Sequence, residues 1–167
     1  MGKIKNMTLW RIMIGVLAVL VTLPVDAAAA CPNPDMAALR VLRANGVSLR
    51  MGQSQRVQAG GSDTLEACAH LGLSDVPTEL FNDAPSMVAD LSGMMGLAIE
   101  ISSTSNCPTA LLVQTQNGAW YYDNRGRGVG SPRLMLRRPG TGKIMIWVGT
   151  PEGQSCRSRV RLVTYPG

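Results

Sequence analysis

The chain holds a single histidine, His70, the side chain whose ordinary titration falls nearest neutral pH. A Ser-His-Asp hydrolase would have to run through it, with Asp63 or Asp75 behind the imidazole and a serine in front. No Gly-x-Ser-x-Gly elbow presents that serine. The preferred reading makes His70 a surface residue of a loop; the alternative is a secreted, peptidase-like hydrolase with His70 as base. Eleven acidic residues, widely scattered, offer no obvious carboxylate pair for glycoside hydrolysis. Gly140-Thr141-Gly142-Lys143 is no phosphate loop: Ile144 stands where Ser or Thr would hold magnesium, and a strand-like run follows instead of a helix. Asp123 and Asn124, beside Gly126, Gly128 and Gly130, are calcium-ligand types. One carboxylate and one amide make a thin ligand set, and the expected role is closing their own turn. These residues predict no enzyme, no cofactor and no metal centre.

Binding chemistry has more to work with. Arg157, Arg159 and Arg161 alternate along one segment, and Arg133 and Arg137 alternate along another. From Arg125 onward the only acidic residue is Glu152. On strands, such spacing puts each set of arginines on one face. A face of that kind suits an acidic protein, an anionic polysaccharide or lipid headgroups. The competing reading is a solvated sheet face that keeps the protein soluble. Trp120, Tyr121 and Tyr122 raise the question of a sugar-stacking platform, but alternation puts Trp120 and Tyr122 together on a face, where core packing is the expected use. Met87, Met94, Met95, Met135 and Met145 are expected to fill core gaps.

The compartment is legible at the N-terminus. Lys3, Lys5 and Arg11 precede a short apolar run from Ile12 to Val25, and Ala27 to Ala30 supply small residues for cleavage. That pattern predicts a secretory signal peptide over 1–30 and a domain over 31–167 in the periplasm or outside the cell. The run is too short for an ordinary membrane span, and no later segment is long and apolar enough to cross. An uncleaved anchor and lipid attachment at Cys31 are the rivals. Nucleic acid is not an expected partner of an exported chain. The net charge is +5, and cleavage would leave the remainder basic. Cys31, Cys68, Cys107 and Cys156 form no C-x-x-C pair, so an oxidising compartment predicts two disulfides with three possible connectivities. The preferred pairing is Cys31–Cys68 with Cys107–Cys156, each stapling its own half.

The elements that must carry these residues are strands. Gly142-Lys143-Ile144-Met145-Ile146-Trp147-Val148-Gly149 is apolar and bracketed by turn residues, so it reads as the central buried strand. Further strands are expected at 47–51, 54–59, 87–91, 97–102, 109–115, 119–122, 133–137 and 156–165, with a short one at 78–81. Leu97, Ile99 and Ile101 share a face, with Glu100 on the other. Asn117-Gly118 signals a hairpin. Residues 35–44 suggest a brief helix capped by Asp35 and stopped by Asn45-Gly46. The arginines of the last strand would discourage edge pairing. Short strands with Gly and Pro turns predict an all-β, antiparallel, jelly-roll-like sandwich of one domain.

One resemblance supports that class. Leu111-Leu112-Val113, then Asn117-Gly118-Ala119-Trp120-Tyr121-Tyr122-Asp123-Asn124, then Pro132-Arg133-Leu134 and the run 142–149 occur in the order found in bacterial pre-peptidase C-terminal domains. The chain resembles the small exported proteobacterial β-sandwich proteins related to them over roughly residues 107–165. The usual acidic pair is Asp123-Asn124 here, and Lys143-Ile144-Met145 lacks the usual tyrosine. The resemblance implies a sandwich without catalytic machinery, acting as an accessory or binding module.

Overall fold

The run from Ile144 to Val148 is apolar on both of its faces because both are covered. The computed structural model describes residues 31–75 and 77–167. The expected signal peptide lies outside the described residues. Among the described residues, nine strands build two sheets: β1 (Val41–Asn45), β2 (Gln53–Ala59), β3 (Met87–Ser92), β4 (Leu97–Ser105), β5 (Ala110–Gln114), β6 (Trp120–Asp123), β7 (Arg133–Leu136), β8 (Gly142–Gly149) and β9 (Cys156–Pro166). The five-stranded sheet runs β1-β3-β8-β5-β6, and the four-stranded sheet runs β2-β9-β4-β7. β8 is the middle strand of the larger sheet. The fold is an all-β sandwich, and no α-helix is present among the described residues.

The core follows from alternation. Ile144, Ile146 and Val148 enter the space between the sheets with Leu111, Val113, Ile99, Ile101, Val160 and Leu162. Trp147 points the other way. There it joins Phe81, Leu65, Leu71, Cys68, Ala110 and Leu112 in a second apolar cluster. The long connection between β2 and β3 supplies Leu65, Cys68, Leu71 and Phe81, so it roofs the outer face of the larger sheet. The Cys31–Cys68 disulfide ties that roof to the start of the domain, and Cys107–Cys156 joins the end of β4 to the start of β9. Both are the expected pairs. Lipid attachment at Cys31 would need a sulfur that the bridge occupies.

Several expectations are corrected. Residues 35–44 form no helix; Val41–Asn45 is an extended edge strand that pairs parallel with β3, the one parallel pair in the sandwich. Its inward-facing backbone groups pair with β3, and Leu42 reaches the core. Segment 47–51 is a 3-10 turn instead of a strand: only Leu49 is buried, and Gly52 ends the turn at φ 76. β9 is an inner strand, with β2 and β7 at the edges, so its arginines guard no edge. Met95 is almost fully exposed and Met135 is partly so; neither fills the core.

Candidate functional site

β9 presents Arg157, Arg159 and Arg161 outward, while Ser158, Val160 and Leu162 are buried. Alternate residues on a strand stand roughly 6.8 Å apart, so the three form a linear ladder. β2 lies alongside in antiparallel register. Arg56 faces Arg159 directly, with Gln58 opposite Arg157 and Ser54 opposite Arg161. On the other flank, β4 sets Thr104 beside Arg159 and Ser102 beside Arg161. Arg40, from the approach to β1, reaches the same place. Arg40, Arg56, Arg157 and Arg159 line one open basin of about 950 Å³, together with Gln58, Thr104 and Asn106. No carboxylate among the described residues lines it. All four guanidinium-bearing residues are exposed, and none is ion-paired among the described residues.

The other arginines of the predicted face have different duties. Arg161 lies against Gly52, whose φ of 76 is a backbone conformation that favours glycine. Arg133 bonds Glu100 Oε2 at 2.8 Å, and Arg127 bonds Oε1 of the same carboxylate at 2.5 Å. Glu100 does project from the outer face of β4, as expected, yet it is only 2% exposed because the loop after β6 folds over it. Arg137 lies toward the opposite end of β4, in a cleft with Met94, Met95 and Arg138. The structure therefore brings Arg157 and Arg159 together, sets Arg161 at the margin, and removes Arg133 and Arg137 from the basin. Arg40 and Arg56 were missed. Ser54, Arg56 and Gln58 alternate outward along β2, which is a usable signal, but nothing in the sequence pairs β2 with β9. Arg40 sat inside the segment expected to be a helix.

The calcium candidates are occupied with closing loops. Asp123 Oδ2 accepts from the backbone N–H groups of Gly126 at 2.8 Å and Arg133 at 2.7 Å. Asn124 Nδ2 donates to Glu79 Oε1 at 3.0 Å, and the Tyr122 hydroxyl donates to Glu79 Oε2 at 2.5 Å. Burial first, then the Glu79 acceptor and its charge, push the Tyr122 phenol well above its usual range. Among the described residues no group of three or more His, Cys, Asp or Glu side chains is placed to hold a metal ion. Trp120 is half-buried and stacked on Trp147, with ring centroids 5.2 Å apart, so it offers no free platform. His70 is exposed on the 3-10 turn Ala69–Leu71 and forms no ion pair among the described residues.

Under the roof, burial and then the hydrogen bond and charge of neighbouring Asp83 raise the Asp63 carboxyl above its usual range. Asp83 Oδ1 is itself buried without a partner. A folded carboxyl that holds its proton more tightly than the unfolded one contributes stability at acid pH, and that contribution is lost as pH rises through the raised value. Asp63→Asn is expected to raise the melting temperature at pH 7 and to flatten its decline as pH rises from the ordinary carboxylate range toward neutrality. Thermal melts across that range check it; an unchanged profile would contradict it.

The fold and this site define a disulfide-stapled β-sandwich with a cationic basin on one sheet. No family model matches the sequence, and no curated protein does. The chain is similar in structure to PliG of Aeromonas hydrophila, a periplasmic inhibitor of g-type lysozyme, at 10% identity and a TM-score of 0.44, covering 75% of this chain and 98% of that one. It is also similar to the pre-peptidase C-terminal domain of a collagenase from Bacillus anthracis, at 8% identity and a TM-score of 0.42, covering 75% and 94%.

Proposed function

We propose that this protein is an exported, non-catalytic binding module that engages an anionic partner through the basin of Arg40, Arg56, Arg157 and Arg159. One observation carries the reading: four exposed arginines line a single concavity that no carboxylate among the described residues lines. Arginine forks match carboxylate, sulfate and phosphate oxygens in pairs. Gathering unpaired like charges works against folding, so a partner of opposite sign relieves the cluster. The two disulfides fit an oxidising compartment outside the cytoplasm.

The test is binding of a sulfated polysaccharide and of poly-glutamate at low and high salt. Affinity is expected to fall steeply with salt. Arg157→Ala combined with Arg159→Ala is expected to weaken it by about tenfold or more, since each charge-assisted bond contributes about 1.5–3 kcal/mol. His70→Ala should change neither binding nor stability. Binding that persists at high salt, or that survives the double substitution, would overturn the assignment. So would hydrolysis of a peptide or ester substrate that His70→Ala abolishes.

A further inference from the structure

The basin has an internal asymmetry that narrows its ligand. Arg56 and Arg159 are direct partners across the β2–β9 ladder, so their backbones stand about 4.5–5.5 Å apart on the same face. Like charges placed directly opposite each other destabilise a sheet. The usual remedy is an acidic neighbour, as at Glu100, where one carboxylate serves Arg127 and Arg133. At Arg56 and Arg159 there is none. Thr104 faces Arg159 from the other side, and the remaining polar lining is Gln58, Ser86, Asn106 and Ser158. Arg40 and Arg157 add two further forks around the pair.

The number of donors matters here. A carboxylate has two oxygens and one negative charge, and one arginine fork occupies both oxygens. Four forks around one concavity need more acceptors and more charge than a carboxylate supplies. A phosphate monoester has three free oxygens and close to two negative charges at neutral pH, and pyrophosphate has more of both. Lysine would serve as a point charge, whereas a cluster of arginines alone favours planar, paired recognition. Hydroxyl and amide donors at the rim can meet any remaining oxygens.

Building on the anion-binding reading above, we infer that the basin is a phosphoryl-group site, with one doubly charged phosphate bridging Arg56 and Arg159 and Arg40 and Arg157 flanking it. The phosphate is carried either by a soluble molecule or by a lipid headgroup. The bridge converts the repelling pair into an ion-paired one, so ligand and fold stability are coupled.

Calorimetric titration of the purified protein with sodium pyrophosphate, and with sodium malonate at equal ionic strength, tests this. Pyrophosphate is expected to bind at one site at least tenfold more tightly than malonate and to raise the melting temperature. Arg56→Ala or Arg159→Ala should reduce pyrophosphate affinity by about tenfold or more, whereas Arg137→Ala should not. Arg56→Lys with Arg159→Lys keeps the charge and should lose the preference over malonate. These side chains are exposed, so a ligand-free melting temperature no lower than that of the parent confirms that the variants fold. Vesicles of phosphatidylcholine with and without phosphatidic acid separate the two sources: binding to both pyrophosphate and acidic vesicles supports a headgroup, and binding to pyrophosphate alone supports a soluble carrier. If poly-glutamate or sulfated polysaccharide binds while pyrophosphate is no better than malonate, the phosphoryl assignment is overturned and the anionic-partner reading stands. If no anion binds, both fall.

Discussion

Trp147→Ala is expected to destabilise the protein by about 3–5 kcal/mol, the range for emptying a large aromatic site in a core. Trp147 is fully buried at the centre of β8, the middle strand of the larger sheet. Its indole packs under the roof formed by the β2–β3 connection, stacks on Trp120, and donates from Nε1 to the Asp83 carbonyl at 3.0 Å. Removing it leaves a cavity, and the Asp83 carbonyl keeps only the Asn33 N–H, at 2.8 Å, as a donor. The roof is held mainly by this cluster and by the Cys31–Cys68 bridge, so it should loosen first. Trp147→Phe keeps most of the apolar area but loses the hydrogen bond, and should cost clearly less. Denaturant unfolding measures both. A loss below about 1 kcal/mol for the alanine variant would contradict the second core.

Removing both Arg127 and Arg133 should cost a similar amount, for an electrostatic reason. Glu100 would keep its burial with only the Tyr165 hydroxyl, 3.4 Å from Oε2, as a partner. Breaking a buried ion pair from one side costs about 3–5 kcal/mol because a desolvated charge is left behind. The diagnostic variant adds Glu100→Gln to the two alanines. That third change removes the stranded charge and should recover much of the loss. Failure to recover would mean that the arginines act by covering apolar surface, not by neutralising Glu100.

How much of this was legible depended on whether a residue's role is set locally. The strand at β8, the Asn117-Gly118 hairpin and the alternation of β9 follow from neighbours in sequence, and the structure has them; the disulfides are the preferred one of three connectivities that the sequence leaves open. What pairs with what did not follow. Val47 to Met51 alternates like a strand, but Gly52 and the turn onto β2 make it a 3-10 segment. Val41 to Asn45 has helical spacing in isolation, yet a parallel partner 47 residues downstream decides its state. The basin shows the same limit. Arg157 and Arg159 could be placed on a face by alternation alone, whereas Arg56 joined them only through the β2–β9 register, and Arg40 through the approach to β1. Arg133 looked equivalent to them because its pairing with Glu100 depends on β4–β7 register and on a loop folding back.

The most direct measurement is the shift of each arginine side-chain N–H resonance as pyrophosphate is titrated into the isotope-labelled protein. The expected result is a saturable shift of Arg40, Arg56, Arg157 and Arg159, with Arg127, Arg133, Arg137 and Arg138 left in place. Equal small shifts of every exposed arginine, or a response centred on Arg137 and Arg138, would contradict a specific basin on the four-stranded sheet.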